Sequence, residues 1–219
     1  MYPNLKNLKS VVQKEVEPEP YAKYIVRPIS ILFTWIFVRT PISANQVTIL
    51  QEIIGVAGAI FFAFGKFVIG SLLLQLGYIL DCSDGEVARW KNQQSERGKF
   101  LDLIGHMIVI PFYYFGLGIG QYFLTGNFIT IIAGFLAALF TIKTEKIISP
   151  LNNDLDISRR GIIQSLFRYP DSMNVITILA ITDWIFKTNL LFYCIIVFGV
   201  VMTFGRLFQM YKTFQSIKY

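Results

Sequence analysis

The 219 residues are 54% hydrophobic and 16% charged, with a mean hydropathy of +0.53, against the roughly 25% charge of soluble domains. This composition excludes an ordinary soluble domain and makes a bilayer the solvent, while the length allows one helical membrane domain rather than a single anchoring helix. The formal charge of +6 accompanies no nucleic-acid-binding module and no strip of basic and aromatic residues, so it is assigned to membrane orientation and anionic headgroups, not to nucleic acid.

Residues 1–20 form a polar segment closed by Glu17-Pro18-Glu19-Pro20. It lacks the apolar core of a signal peptide, so insertion is expected to use internal helices. Residues 21–219 are expected to form a single membrane domain. In its first part, residues 21–39, Lys23, Arg27 and Arg39 mix with Ile25, Ile29, Leu32, Phe33, Ile36 and Phe37 at near-helical spacing, which predicts an interfacial amphipathic helix. Ser43-Ala44-Asn45-Gln46 then fits a capping box and predicts the start of the first span. Six apolar stretches follow, at about 46–64, 67–88, 101–121, 128–149, 173–187 and 190–210, the fifth short and interrupted by Asp183. The expected fold is all-α, a polytopic membrane helical bundle of six transmembrane helices. Cys82 and Cys194 lie in or beside apolar segments without a disulfide framework and are expected to pack.

Lys and Arg gather on the cytoplasmic side of short membrane loops. Of the 20 such residues, 18 fall before the first span, between spans two and three, between spans four and five, or at the end of the chain; Lys66 and Lys187 are the exceptions. An integral protein of the cytoplasmic membrane with both termini cytoplasmic is therefore expected. The link between spans four and five, with Lys143, Lys146, Arg159, Arg160 and Arg168 among Ile162, Ile163, Leu166 and Phe167, predicts a second interfacial helix, serving either as a headgroup anchor or as a phosphate contact.

The second span ends in Asp81-Cys82-Ser83-Asp84-Gly85-Glu86-Val87-Ala88-Arg89, and the third begins near Gly98-Lys99-Phe100-Leu101-Asp102. At about 100° per residue, Asp81, Asp84, Gly85 and Ala88 share roughly a 100° arc of one helix, and Gly98, Asp102 and His106 about 80° of the next. Three carboxylates at membrane depth are costly unless paired, and hard oxygen donors in this number suit Mg²⁺ or Mn²⁺ beside a phosphate-bearing substrate. Gly85, Ala88 and Gly98 leave room for a nucleotide to approach the backbone. A structural ion network with Arg89, Arg97 and Lys99 is the plainer alternative for the aspartates.

In this pattern the chain resembles the CDP-alcohol phosphotransferase (CDP-alcohol phosphatidyltransferase) family, whose signature is two aspartates, Gly, Ala-Arg, a further Gly and two later aspartates. Asp81, Asp84, Gly85, Ala88, Arg89, Gly98 and Asp102 match in register, and the approach to the first span, Pro41-Ile42-Ser43-Ala44-Asn45-Gln46-Val47-Thr48, is similar to the family's. The resemblance implies an acceptor hydroxyl attacking the β-phosphorus of a CDP-alcohol, such as CDP-diacylglycerol, with release of CMP and with two divalent ions. It implies Asp81, Asp84 and Asp102 as metal ligands, Gly85, Ala88, Arg89 and Gly98 around the nucleotide, and a homodimer; the sorting of Lys and Arg is what puts the expected active site on the cytoplasmic side. Where the family has its fourth aspartate, a ligand and the base, this chain has His106, its one histidine. Imidazole can take both roles, as catalytic base and as metal ligand. The alternative is a catalytically silent nucleotide-binding or scaffold protein of the same fold. A transporter is disfavoured, for no inverted repeat or broken helix is visible. The glycines Gly116, Gly118 and Gly120 suit either close helix packing or a dimer face, with packing favoured.

Overall fold

The computed structural model describes residues 4–13, 20–141 and 169–216. Among them are eight α-helices and no strand: α1 (Leu5–Val12), α2 (Arg27–Phe37), α3 (Ala44–Ala63), α4 (Phe67–Trp90), α5 (Glu96–Thr125), α6 (Ile129–Thr141), α7 (Tyr169–Phe186) and α8 (Leu190–Ser216), with a π-helical turn at Ala22–Val26 leading into α2. By length and composition, α3, α4, α5 and the Leu190–Phe208 part of α8 are able to cross a membrane, and Ile129–Thr141 and Ser172–Phe186 are apolar but shorter. Four of the six expected spans thus reach membrane-crossing length among the described residues. The end of the fourth expected span and the basic link with Lys143, Lys146, Arg159, Arg160 and Arg168 lie outside them. Ile53, Leu72, Phe112, Phe135 and Val197 are more than half exposed, as side chains facing lipid should be.

Local chemistry sets the helix ends. Asn4 caps α1, its Oδ1 accepting from Asn7 N at 2.8 Å. The capping box at α3 forms in both directions: Gln46 N donates to Ser43 Oγ at 3.3 Å and Ser43 N to Gln46 Oε1 at 2.8 Å. Asp183, read from sequence as an interruption, caps α8, accepting from Leu190 N and Leu191 N, each at 2.9 Å, and from Thr188 Oγ1. Helix C-termini leave carbonyls without partners. Lys91 Nζ gathers three carbonyls at and after the end of α2, donating to Phe37 O, Thr40 O and Ile42 O at 3.0, 2.7 and 2.7 Å. Pro111 lies inside α5 without ending it, as neighbouring helices permit in membranes.

The chain divides into two compact units, Met1–Gly55 with Leu73–His106 and Val56–Leu72 with Met107–Tyr219. The first has an apolar core of Leu8, Val12, Ile31, Phe37, Val38, Ala44, Val47, Leu80 and Val87. The polar N-terminal segment therefore contributes a packed helix, α1, where the sequence predicted only a polar stretch. Two of its apolar residues, Leu8 and Val12, share one face at the i, i+4 spacing and carry its contact. In α2 and the turn before it, Tyr24, Ile25, Ile29, Leu32 and Ile36 stay exposed, an apolar face suited to the membrane interface.

The second unit is built on close backbone approach. A methyl group at Gly116 or Gly120 of α5 would press on Ala59 O or Phe62 O of α3, and one at Gly118 would meet Thr130 O and Gly134 of α6. These glycines serve packing within the chain. Gly118→Ala is expected to destabilise by about 1–3 kcal/mol, since fixed backbone must move to admit the methyl. Gly205→Ala, where nothing lies within 4 Å, should leave the thermal midpoint in detergent unchanged. Equal midpoints for the two variants would refute the account.

Candidate functional site

The motif side chains lie in the first unit. On α4, Asp81 and Asp84 stand one turn apart, followed by Gly85 and Ala88. On α5, Ser95 caps the helix, its Oγ accepting from Gly98 N at 3.1 Å. Gly98, Asp102 and His106 then recur every four residues on one face. Helix α3 brings a third set, Thr48, Gln51 and Glu52, again at i, i+3 and i+4.

His106 joins the two motif helices. Its Nδ1 lies 2.9 Å from Asp102 O and 3.1 Å from Asp102 Oδ1, and its Nε2 lies 3.6 Å from Asp81 Oδ1. One imidazole thus stands between two of the motif carboxylates. Asp84, a turn further along α4, accepts from Thr48 Oγ1 at 2.5 Å. Gln51 Nε2 donates to Asp81 Oδ1 at 3.2 Å and to Glu52 Oε1 at 3.3 Å. Asp81, Asp102 and His106 are drawn together as the sequence predicted, and Asp84 is held beside them by α3.

Glu52 was not expected. Its carboxylate, Asp102 and His106 each offer one ligand atom, and these atoms lie within 4.8 Å of one another. The approach is possible because residue 105 is glycine: a Cβ there would overlap the Glu52 carboxylate. A sequence signal existed, since an acidic residue inside an otherwise apolar span is a functional candidate by default. Motif spacing does not single it out, because Glu52 stands outside the motif.

The residues expected around a nucleotide lie close by. The Arg89 guanidinium spans the position beside Gly85, Nη1 lying 3.4 Å from where a Cβ would sit, while Arg89 Nε donates to Val12 O at 2.5 Å. Ala88 packs against the apolar core of this unit. Gly98 leaves space opposite Asn45, whose Oδ1 would be 3.0 Å from an added Cβ. Asn45 belongs to the capping segment that resembles the family's, and its place near Gly98 puts it at the same end of the helices as the motif.

Carboxylate oxygens and one imidazole nitrogen form a donor set that suits a hard divalent cation. Comparison with known proteins agrees with this chemistry. The sequence model described as CDP-alcohol phosphatidyltransferase matches residues 41–204. A bifunctional IPC transferase and DIPP synthase from Rubrobacter xylanophilus is 40% identical over 63 residues, which are 29% of this chain and 14% of that protein. The chain therefore matches only a small part of that relative's length. In fold, the chain is similar to the crystal structure of Mycobacterium tuberculosis phosphatidylinositol phosphate synthase with CDP-DAG bound, at a TM-score of 0.67 and 21% identity over 86% of this chain and 93% of that one.

Proposed function

Because this chain belongs to the CDP-alcohol phosphatidyltransferase family, an integral membrane family that uses divalent metals, we propose that it transfers a phosphatidyl group from a CDP-alcohol, CDP-diacylglycerol foremost, to the hydroxyl of a small polar acceptor. CMP is released and a membrane lipid is made. The observation that carries this reading is the meeting of Asp81, Asp102 and His106, from two helices, around a single imidazole.

Asp81, Asp84 and Asp102 would hold two Mg²⁺ or Mn²⁺ ions, which would offset negative charge on the pyrophosphate and on the departing CMP oxygen; His106 would serve either as a further ligand or as the base, since a neutral imidazole has one lone pair to give. Gly85 and Gly98 admit the nucleotide close to the helix backbones, beside Ala88, and Arg89 meets its phosphates. With Nδ1–H donated to Asp102 O, the neutral His106 ring keeps a lone pair on Nε2. With Nε2 free of metal, the acceptor oxygen attacks the β-phosphorus, its proton passes to Nε2, and the bond from phosphorus to the CMP oxygen breaks. The asymmetric placement of 18 of 20 basic residues supports a cytoplasmic site with both termini on that side, and the family resemblance supports a homodimer.

A second reading has one observation in its favour. A protonated His106 between Asp81 and Asp102 would offset one of their two negative charges and occupy the place of a metal, leaving a silent scaffold of the same fold. Purified protein incubated with CDP-diacylglycerol, Mg²⁺ or Mn²⁺ and a panel of small polar alcohols decides between them by CMP release. Release that EDTA abolishes is expected. His106→Ala should then lower turnover by roughly 10²–10⁴-fold, the range for a general base, with His106→Asp retaining part of it. Full turnover in His106→Ala removes the base role, and no CMP under any condition selects the scaffold.

A further inference from the structure

We infer that Glu52, which no motif includes, is a metal ligand of this site, supplying from α3 an anionic oxygen donor that works with Asp102 and His106. The inference rests on the metal-dependent reading above and adds a residue to it. Three observations carry it.

The first is placement. Glu52 lies eight residues past the start of α3, about 12 Å along the helix axis at 1.5 Å per residue. A carboxylate so placed in a spanning helix demands a partner. Around it stand an amide donor, Gln51 Nε2 at 3.3 Å, and the ligand atoms of Asp102 and His106 within 4.8 Å. Two carboxylates facing each other at this range repel, and a divalent cation between them converts the repulsion into coordination.

The second is the notch at Gly105. Any side chain there would overlap the Glu52 carboxylate, so the α5 backbone is open where α3 presents its acid. Glycine inside a helix costs roughly 1 kcal/mol relative to alanine, a cost that the admitted carboxylate explains. The third is Gln51. It is 6% exposed, its amide nitrogen reaches both Asp81 and Glu52, and its Oε1 is buried with no hydrogen-bond partner. A buried acceptor without a donor is rare, and here it belongs to the amide whose nitrogen holds two of the carboxylates that a cation would join.

His106 gives the arrangement its logic. Position 106 carries a neutral donor where a carboxylate would add negative charge, and affinity for hard cations rises with the number of charged oxygen ligands. Glu52 restores that charge from a different helix. The two positions should therefore be exchangeable.

The test measures Mn²⁺ binding by the loss of the free-ion electron paramagnetic resonance signal on purified full-length protein in detergent, with CMP release followed in parallel. Glu52→Gln should weaken Mn²⁺ binding by roughly tenfold or more and lower CMP release. Glu52→Gln combined with His106→Asp should bind within about threefold of the starting protein, because the carboxylate count is restored. Glu96→Gln, an exposed carboxylate paired with Lys99 at 2.6 Å, should bind as the starting protein does. If Glu52→Gln is not recovered folded, Gly105→Ala tests the same point, since it keeps the acid but displaces it, and the same weakening is expected. Unchanged Mn²⁺ affinity in Glu52→Gln, or no recovery in the double variant, overturns the assignment while the transferase reading stands. Absence of both Mn²⁺ binding and CMP release in the starting protein overturns the two together.

Discussion

Asp102→Asn is expected to lower metal-dependent CMP release by roughly 10³-fold, about 4 kcal/mol of transition-state stabilisation, while leaving the protein folded. The amide oxygen can still accept from the His106 ring, so the link within α5 survives the change. What it loses is a full negative charge in a site where Asp81, Asp84 and Glu52 also converge. Without a cation, these acids repel one another, and a neutral amide at position 102 relieves part of that repulsion. The thermal midpoint of the metal-free variant should therefore equal or exceed that of the starting protein, a stability gain at functional expense. Mn²⁺ separates the two proteins further. A ligand at 100 times its dissociation constant stabilises the state that binds it by about 2.7 kcal/mol, so the starting protein should gain a higher midpoint on Mn²⁺ addition and Asp102→Asn should gain little. An active Asp102→Asn protein would remove the aspartate from the proposed ligands. Loss of activity together with a collapsed midpoint would assign it to the fold instead.

The part of this site that was legible in sequence is the part whose residues are near neighbours in the chain. Asp81 and Asp84 are one helical turn apart, as are Asp102 and His106, so periodicity alone places each pair on one face. Glu52 escaped because its partners lie about fifty positions away and nothing in the α3 sequence announces which helix faces it. Gly105 escaped for a related reason: the residue that needs the space is not adjacent to the one that provides it. Helix limits show the same division. The capping box located the start of α3 within two positions, whereas α5, expected over 101–121, runs Glu96–Thr125. Hydropathy detects only the apolar stretch, while helical hydrogen bonding continues until a cap or glycine stops it, here Ser95 at one end and Gly126, at φ 69°, at the other. The helix α1 was illegible because its segment is polar on average, and only Leu8 and Val12 carry its packing.

Glu86→Ala is expected to cost about 3–5 kcal/mol, the range for removing one partner of a buried ion pair, and is the largest stability effect expected from a single substitution in the first unit. Glu86 lies inside the motif segment, yet its partners are not those of the aspartates. Fully buried, it accepts from Arg27 Nη1 at 3.1 Å, Ser30 Oγ at 3.0 Å, Thr34 Oγ1 at 2.7 Å and Gln13 Nε2 at 3.3 Å. Four donors from α2 and from the residue after α1 thus converge on one carboxylate of α4. Alanine would leave the Arg27 guanidinium, with a side chain 13% exposed, without this counter-charge, and would leave two buried hydroxyls to find other acceptors. Glu86→Gln keeps the shape and one acceptor oxygen, so its cost should be smaller, about 1–3 kcal/mol. The order Ala worse than Gln, read from thermal midpoints in detergent, tests the ion-pair account, and equal midpoints for all three proteins would defeat it. The effect should also reach the site. Gln13 ties the end of α1 to Glu86, and Val12 O receives the Arg89 Nε hydrogen bond. Loosening α1 frees the Arg89 guanidinium from its station beside Gly85, so Glu86→Gln should weaken binding of the CDP-alcohol more than it slows the chemical step. The expected signature is a raised KM with kcat largely retained, the reverse of the pattern for Asp102→Asn.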